Sequence, residues 1–395
     1  MTIELLSPVQ DFTSLKAAID AGADAVYFGV KELNMRLGAK NFELKDTKKV
    51  IDLCHKNKVK AYFTLNTIIY DDEISKVRKI LEKLKKEKID AIICWDFSVI
   101  TECERLNLPV HLSTQASVSN FEAIKILKNR FKNIKRINLA RELSLEQIKS
   151  IIKQIKKNKL NVEIETFVHG AMCVSISGRC FLSQDIFNKS ANRGECLQPC
   201  RRKYLIKDVE EDHELELGED YIISPKDLCA IEIIDKLIKA RIDAFKIEGR
   251  NRSPEYVKVV TECYKRAIDK GYSKELLDKL KTVYNRGFST GFYLGKPMNE
   301  WAGVYGSKAT KKKIYIGKVR NFYKKVNVAE ILIESSTLKL GDTIMFQGPT
   351  TGVFEEKIVS MEKHHKMIKK ANKGERIAIK LRGNVRENDM VFLIK

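Results

Sequence analysis

Residues 162 to 170 read VEIETFVHG, and the next run of the same character, DAFKIEG, begins only at residue 243. Each is short and rich in β-branched or aromatic residues, the composition of a buried strand. Six such runs precede them: ELLSP (4–8), AVYFG (25–29), AYFTLN (61–66), AIICWD (91–96), VHLSTQ (110–115) and RINLAR (136–141). Between the runs lie stretches such as DFTSLKAAIDAGA, EISKVRKILEKLKKEKI and SLEQIKSIIKQIKKNK. Their apolar residues fall three and four apart with lysines opposite, the period of an amphipathic helix. Eight strands alternating with helices predict an α/β fold, a closed (β/α)8 barrel of the TIM type. The seventh connection breaks the rhythm. A strand, its helix and their turns need about thirty residues, whereas residues 171 to 242 separate strand seven from strand eight. Insertions after a barrel strand emerge at the C-terminal face, where sites of this architecture are built, so residues 171–230 are expected to cap the mouth.

The alternation stops after residue 250. Helical patterns continue through PEYVKVVTECYKRAIDKG, the Gly-rich NRGFSTGFYLGKP reads as irregular, and from about residue 310 the chain becomes a series of β-type runs broken by Gly, Asp and Asn. Two domains follow: residues 1–305 as the barrel and 306–395 as a small antiparallel β-barrel.

The chain has 395 residues, 44% of them apolar, enough for a sizeable core. The N-terminal MTIELLSPVQDF lacks the basic and apolar regions of a secretory signal, and no run reaches the length of a membrane span. A cytoplasmic location without membrane contact is expected. There, nine cysteines are poorly suited to disulfides. The net charge of +21 would attract a polyanion through counterion release, which makes nucleic acid the leading partner class. The alternative is a Lys- and Glu-rich surface adapted to heat.

Residues 173 to 200 read CVSISGRCFLSQDIFNKSANRGECLQPC, with Cys173, Cys180, Cys196 and Cys200 in one short segment and Cys229 beyond it. Zinc sites favour two close ligand pairs, and only Cys196 and Cys200 are so spaced. Iron-sulfur clusters accept looser spacing. The glycines of SISGRC and NRGEC permit close backbone approach, and the basic residues offset thiolate charge. Spacing leaves cluster, zinc and plain buried thiols open. Cys54, Cys94, Cys103 and Cys263 fall in strand or helix patterns and read as core.

The stretches ETFVHGAMCVSISGRCFLS, NRGECLQPCRRKY and SPKDLCAIEIIDKLIKARIDAFKIEGR resemble the signature of peptidase family U32. The opening ELLSPVQDFTSLKAAIDAGADAVYFG, with LGAKNF and LSTQASVSN, matches the same family, so the resemblance spans residues 1 to 290. It implies oxygen-independent hydroxylation of a tRNA uridine, an rRNA cytidine or a quinone precursor, a 4Fe-4S cluster, and prephenate as co-substrate. By position it implies Cys173, Cys180, Cys196 and Cys229 as cluster ligands, with Cys200 as the substitute for the fourth, and it leaves room for a partner protein of the same family. Residues 317–395 resemble the second-domain β-barrel of translational GTPases, which implies RNA contact, although no Walker sequence is present. Packing alone is the other role for this domain.

The polar residues at strand ends complete the candidate site. Lys246, Glu248 and Arg250 end strand eight, and Arg141 ends strand six. A dicarboxylate such as prephenate would be held by such cations, guanidinium bidentately; the bland alternative is internal pairing of Lys246 or Arg250 with Glu248 and Glu165. Gln115 and Asn66 either orient a polar substrate or close a loop. His169, four residues before Cys173, invites a cysteine-protease reading, but an iron-bound thiolate is not free to attack. His-Glu-x-x-His is absent, and His364-His365 reads as solvated surface. The expectation is hydroxylation of an RNA pyrimidine, with a U32-type protease and a noncatalytic RNA-binding protein holding a structural metal as the alternatives.

Overall fold

The computed structural model describes residues 3–176, 179–202, 206–207, 210, 214–215, 221–297, 300–304 and 306–395. Eight parallel strands close into a barrel: β1 Glu4–Pro8, β2 Ala25–Phe28, β3 Lys60–Thr64, β4 Ala91–Cys94, β5 Val110–Leu112, β6 Ile134–Asn138, β7 Glu163–Gly170 and β8 Ala244–Ile247. Closure comes from β8, whose Ala244 pairs with Glu4 on one side and Glu165 on the other. The strands are buried on both faces, which is why they read as continuous apolar runs rather than alternating ones.

Helices α1 Phe12–Asp20, α2 Thr47–Lys56, α3 Ile74–Lys86, α4 Phe97–Arg105, α5 Phe121–Arg130 and α6 Leu145–Lys157 follow the first six strands. Helix α3 buries Val77, Ile80, Leu81 and Leu84 and leaves its lysines in water. Asp11 with Ser14 and Ser144 with Gln147 form capping boxes at α1 and α6, satisfying backbone N–H groups that have no partner inside the helix. After β7 the chain builds the short α7 Leu182–Phe187, then returns through a strand, Asp227–Cys229, that runs antiparallel beside the end of β7. Helices α8 Ile234–Lys239 and α9 Pro254–Lys270 flank β8. Gly178, and most of residues 203–220 of the insertion, lie outside the described residues.

The barrel interior is partly ionic. Lys246 lies 3.0 Å from Glu165, which also accepts from Asn138 at 2.8 Å, and Arg136 reaches Glu165, Glu4 and Glu163. Lys246, Glu165 and Arg136 thus each have a partner of opposite charge, the condition under which burial is tolerated.

The C-terminal strands β9 Lys313–Tyr323, β10 Val328–Ile333, β11 Thr343–Gly348, β12 Gly352–Lys357, β13 Arg376–Lys380 and β14 Met390–Ile394 are antiparallel, in the order β12-β11-β14-β9-β10-β13. They surround their own apolar core, including Ile316, Ile331, Phe346 and Val391. This unit meets the barrel at α1 and α9: Met345 and Val353 pack on Ala17, Glu255 bonds Lys313 at 2.8 Å and Gln347 at 2.6 Å, and Lys258 donates to the Val353 carbonyl. Among the described residues no helix is long and apolar enough to cross a membrane.

Candidate active site at the barrel mouth

Strand β8 ends at Ile247, and the next residue, Glu248, reaches the mouth. Its position is held by the backbone: the Glu248 N–H donates to the His169 carbonyl at 2.8 Å, and Gly170, with φ of +106°, lies so close that a Cβ there would strike the Glu248 carbonyl. Arg36 donates to Glu248 Oε1 from Nε at 3.1 Å and Nη2 at 2.8 Å. The Tyr27 hydroxyl donates to the Ile247 carbonyl at 2.8 Å and lies 3.3 Å from Glu248 Oε2. Burial alone would raise the Glu248 pKa, but Arg36, Arg141 and Arg250 overcome it and hold the carboxyl down at about 2.

The other two guanidiniums make no ion pair among the described residues. Arg250 Nη1 donates to Thr64 Oγ1 at 2.7 Å, and burial beside Arg36 lowers its pKa to about 10. Arg141 lies over the Phe167 ring at 3.8 Å and donates to the Ala171 carbonyl at 2.8 Å; burial lowers its pKa as well. Three guanidiniums therefore gather round one carboxylate, and the mouth carries a surplus of positive charge.

The remaining candidates separate. Lys246 sits below the mouth in its ion pair with Glu165, so it is a barrel-core residue rather than a cation facing ligand. Its strand position explains this: it points inward one layer beneath Glu248. Asn66 donates to Gln115 Oε1 at 3.0 Å, Ser113 donates to the same oxygen at 2.9 Å, and Gln115 Nε2 donates to the Asn66 carbonyl at 2.9 Å. The two amides thus close the loops after β3 and β5 upon each other. His169 is buried among Tyr256, Tyr264 and Phe288, with Nδ1 3.3 Å from the Tyr264 hydroxyl. Burial lowers its pKa to about 4 and leaves it neutral. Arg36 was missed because it lies in the irregular segment after β2, where no period marks it; its place after a barrel strand was the available signal.

The cap holds the thiols beside this cluster. Its NRG segment is the anchor. Asn192 Oδ1 accepts from the Cys180 N–H at 3.2 Å and its carbonyl accepts from Thr67; Arg193 pairs with Glu73 at 2.8 Å; and Gly194, with φ of +92°, lies against the Asn34 carbonyl, where a Cβ would collide. Arg201 donates to the Ser224 hydroxyl and Pro225 carbonyl, each at 2.9 Å, and to the Met172 carbonyl. Cys173 and Cys196 are exposed and Cys180 and Cys200 half-buried, all as free thiols. Cys173 lies within electrostatic reach of Cys196, Cys200, Arg36, Arg141 and Arg201. Cys229 stands at the root of the loop, paired with His169 across the strands; it is buried, its thiol is 3.8 Å from the Tyr264 hydroxyl, and burial pushes its pKa up to about 12.

Residues 10–303 match the model of peptidase family U32. The chain belongs to that family. This U32 chain is 45% identical, over 100% of its own length and 98% of the relative's, to an uncharacterized protease of Methanocaldococcus jannaschii. It is 43% identical, over 98% and 97%, to a collagenase of Porphyromonas gingivalis, and 35% identical, over 88% and 83%, to tRNA hydroxylation protein P1 of Bacillus subtilis.

Two observations bear on whether the U32 cap suits an iron-sulfur cluster. Among the described residues no three His, Cys, Asp or Glu side chains are already spaced around a metal. The donor chemistry nevertheless fits: four thiols on one loop, none in a disulfide, next to the Arg36 and Arg141 guanidiniums that would offset the charge of a thiolate-bound group; burial pushes the Cys196 and Cys200 thiols up. Cys173, Cys180 and Cys196 would hold the group, with the fourth thiol from Cys229 or Cys200.

Proposed function

We propose that the chain is an iron-sulfur enzyme that hydroxylates a pyrimidine of RNA without molecular oxygen, a tRNA uridine in the first instance and an rRNA cytidine as the second, with a prephenate-like dicarboxylate as oxygen donor. The observation that carries this reading is the surplus of guanidinium over carboxylate at the mouth, directly beside free thiols. Arg141 and Arg250 each offer donors to one carboxylate of the ligand. Arg36 is engaged by Glu248 and keeps that carboxylate from neutralising the other two. Tyr27 fixes the Glu248 position through the β8 backbone. A 4Fe-4S cluster held by Cys173, Cys180, Cys196 and either Cys229 or Cys200 supplies one-electron chemistry when bound. The kinship with a tRNA hydroxylation protein supports the substrate class.

The relatives named as proteases favour a second reading. Its required parts are a thiol nucleophile and a base within hydrogen-bond reach. His169 is neutral, buried and bonded to Tyr264, while Cys173 Sγ lies 3.0 Å from the Ser175 hydroxyl. That pairing lends proteolysis no support.

The test is mass spectrometry of RNA nucleosides from a deletion strain. One hydroxylated pyrimidine should vanish, return with the wild-type gene, and fail to return with Cys173→Ser or Arg250→Ala. Anaerobically purified protein should contain about four irons, and comparing Cys200→Ser with Cys229→Ser identifies the fourth ligand. An unchanged nucleoside profile together with collagen cleavage that persists in iron-free protein and is lost in both Cys173→Ser and His169→Ala would reverse the ranking in favour of the protease.

A further inference from the structure

The cap displays apolar groups to solvent immediately around its thiols. Phe181, next to Cys180, is 73% exposed and Ile176 64%, and Val174 and Leu197 are exposed as well. The backbone that carries Phe181 and Leu197 is hydrogen-bonded. Phe181 opens α7 and its carbonyl accepts the Asp185 N–H at 2.9 Å; the Cys180 thiol accepts the Leu182 N–H at 3.4 Å; and the Leu197 N–H donates to the Ser183 hydroxyl at 3.0 Å, tying the Cys196 segment to the same helix. Holding apolar surface in water is unfavourable, so such a patch marks a place where something binds.

The surroundings identify the partner's chemistry. The Arg179 guanidinium lies 4.9 Å from the Trp95 ring and donates to the Gln115 carbonyl at 2.7 Å, making no ion pair among the described residues. Trp95 is fixed in turn by donation from Nε1 to the Asn66 carbonyl at 3.0 Å. Arg202 lies 4.5 Å from the Phe187 ring at the other end of α7. Flat apolar faces interleaved with guanidiniums fit a ligand that alternates flat rings with negative charges, which is an unpaired nucleic-acid strand. The net charge of +21 agrees in sign. A duplex keeps its base faces stacked inside and cannot offer one to Phe181.

We propose that Phe181 is the platform on which one unpaired pyrimidine of the RNA stacks beside the cap thiols, with Arg179 and Arg202 holding flanking phosphates. This rests on the hydroxylation reading only for the identity of the base; the platform itself requires RNA binding and no chemistry. Phe181 is a positioning residue, and its exposure means that replacing it leaves the core untouched.

The experiment uses the full-length protein prepared anaerobically and a heptaribonucleotide carrying one fluorescent pyrrolocytidine, alone and annealed to its complement. The single strand should bind with quenching of the fluorophore. The annealed form should bind at least tenfold more weakly. Phe181→Ala should weaken binding about 5- to 150-fold, the range for loss of one base–aromatic stack, and abolish quenching at an unchanged melting temperature. Phe181→Tyr, which keeps the ring, should restore both. Equal binding by wild type and Phe181→Ala, equal affinity for the duplex, or displacement of the RNA by a collagen-type peptide through Phe181 would each overturn the platform, the last assigning the patch to a protein partner. Phe181-dependent RNA binding combined with an unchanged nucleoside profile sustains the platform and overturns the hydroxylation reading, so the two failures are distinguishable.

Discussion

His169 shows how much a single residue's surroundings decide. In the sequence it stands four positions from a cysteine, as a catalytic base might; in the fold it is enclosed by three aromatic rings, 5.4 to 5.9 Å between centroids. Burial is the largest influence on its pKa, followed by the opposing effects of Asp227 and Arg252. Its pKa falls from about 6.5 in the unfolded chain to about 4, so between those values the unfolded state binds more protons and stability rises with pH. Read downward, the contribution is intact at neutral pH, declines below about 6.5 and is gone near 4. At pH 5 the loss amounts to about 2 kcal/mol. Denaturant unfolding at pH 7 and pH 5 should therefore show a smaller drop for His169→Phe than for wild type; equal drops would mean that the ring is not buried neutral. Glu248 behaves in the opposite sense to a simple buried acid: Arg36 and its neighbours keep it ionised, so its share of stability is present above the ordinary carboxylate range, fades as pH falls below about 4.5 and is gone near 2.

The cap illustrates the next scale, an element whose regular structure is slight and whose position is set by a few anchors. Its described residues form one six-residue helix, short turns and short strands, of which Tyr221–Pro225 and Asp227–Cys229 pair with segments outside the cap; the NRG segment ties the thiol-bearing part to the loops after β2 and β3. Gly194→Ala meets two obstacles at once, a φ of +92° that side chains disfavour and a carbonyl in the space the new Cβ needs. The expected cost is on the order of 1–3 kcal/mol, confined to the attachment of the cap. Limited proteolysis should cleave residues 171–202 faster in Gly194→Ala than in wild type, while the barrel's main unfolding transition moves little. A variant that resists the protease as well as wild type would show that Arg193 and Asn192 suffice. The presence of this insertion was legible from the length of the seventh connection. Its anchors were not, because Asn34, Thr67 and Glu73 come from two distant loops.

At the scale of the whole molecule, the two units share a contact in which apolar and polar parts have different jobs. Ala17, Met345 and Val353 exclude water, while Glu255 satisfies Lys313 and Gln347 at the edge. Val353→Asp would bury an unpaired carboxylate against α1, a change on the order of 3 kcal/mol. Calorimetry should then resolve two transitions where wild type gives one; a single transition at a lower temperature would mean that the units still unfold together. What the amino-acid sequence determined by itself was the order and kind of elements, since hydrophobic period is a local property: the eight strands, their helices, the insertion and the β-rich end could all be read along the chain. The grouping of polar groups was not local. Lys246 and Glu248 stand two positions apart and both point inward, yet closure of the barrel gives one to Glu165 and the other to Arg36, while the loops after β3 and β5 join Gln115 to Asn66. Only the tertiary structure decides such pairings, because the energy of a buried charge or amide depends on which partner the fold brings within about 3 Å, and that partner can lie anywhere in the chain.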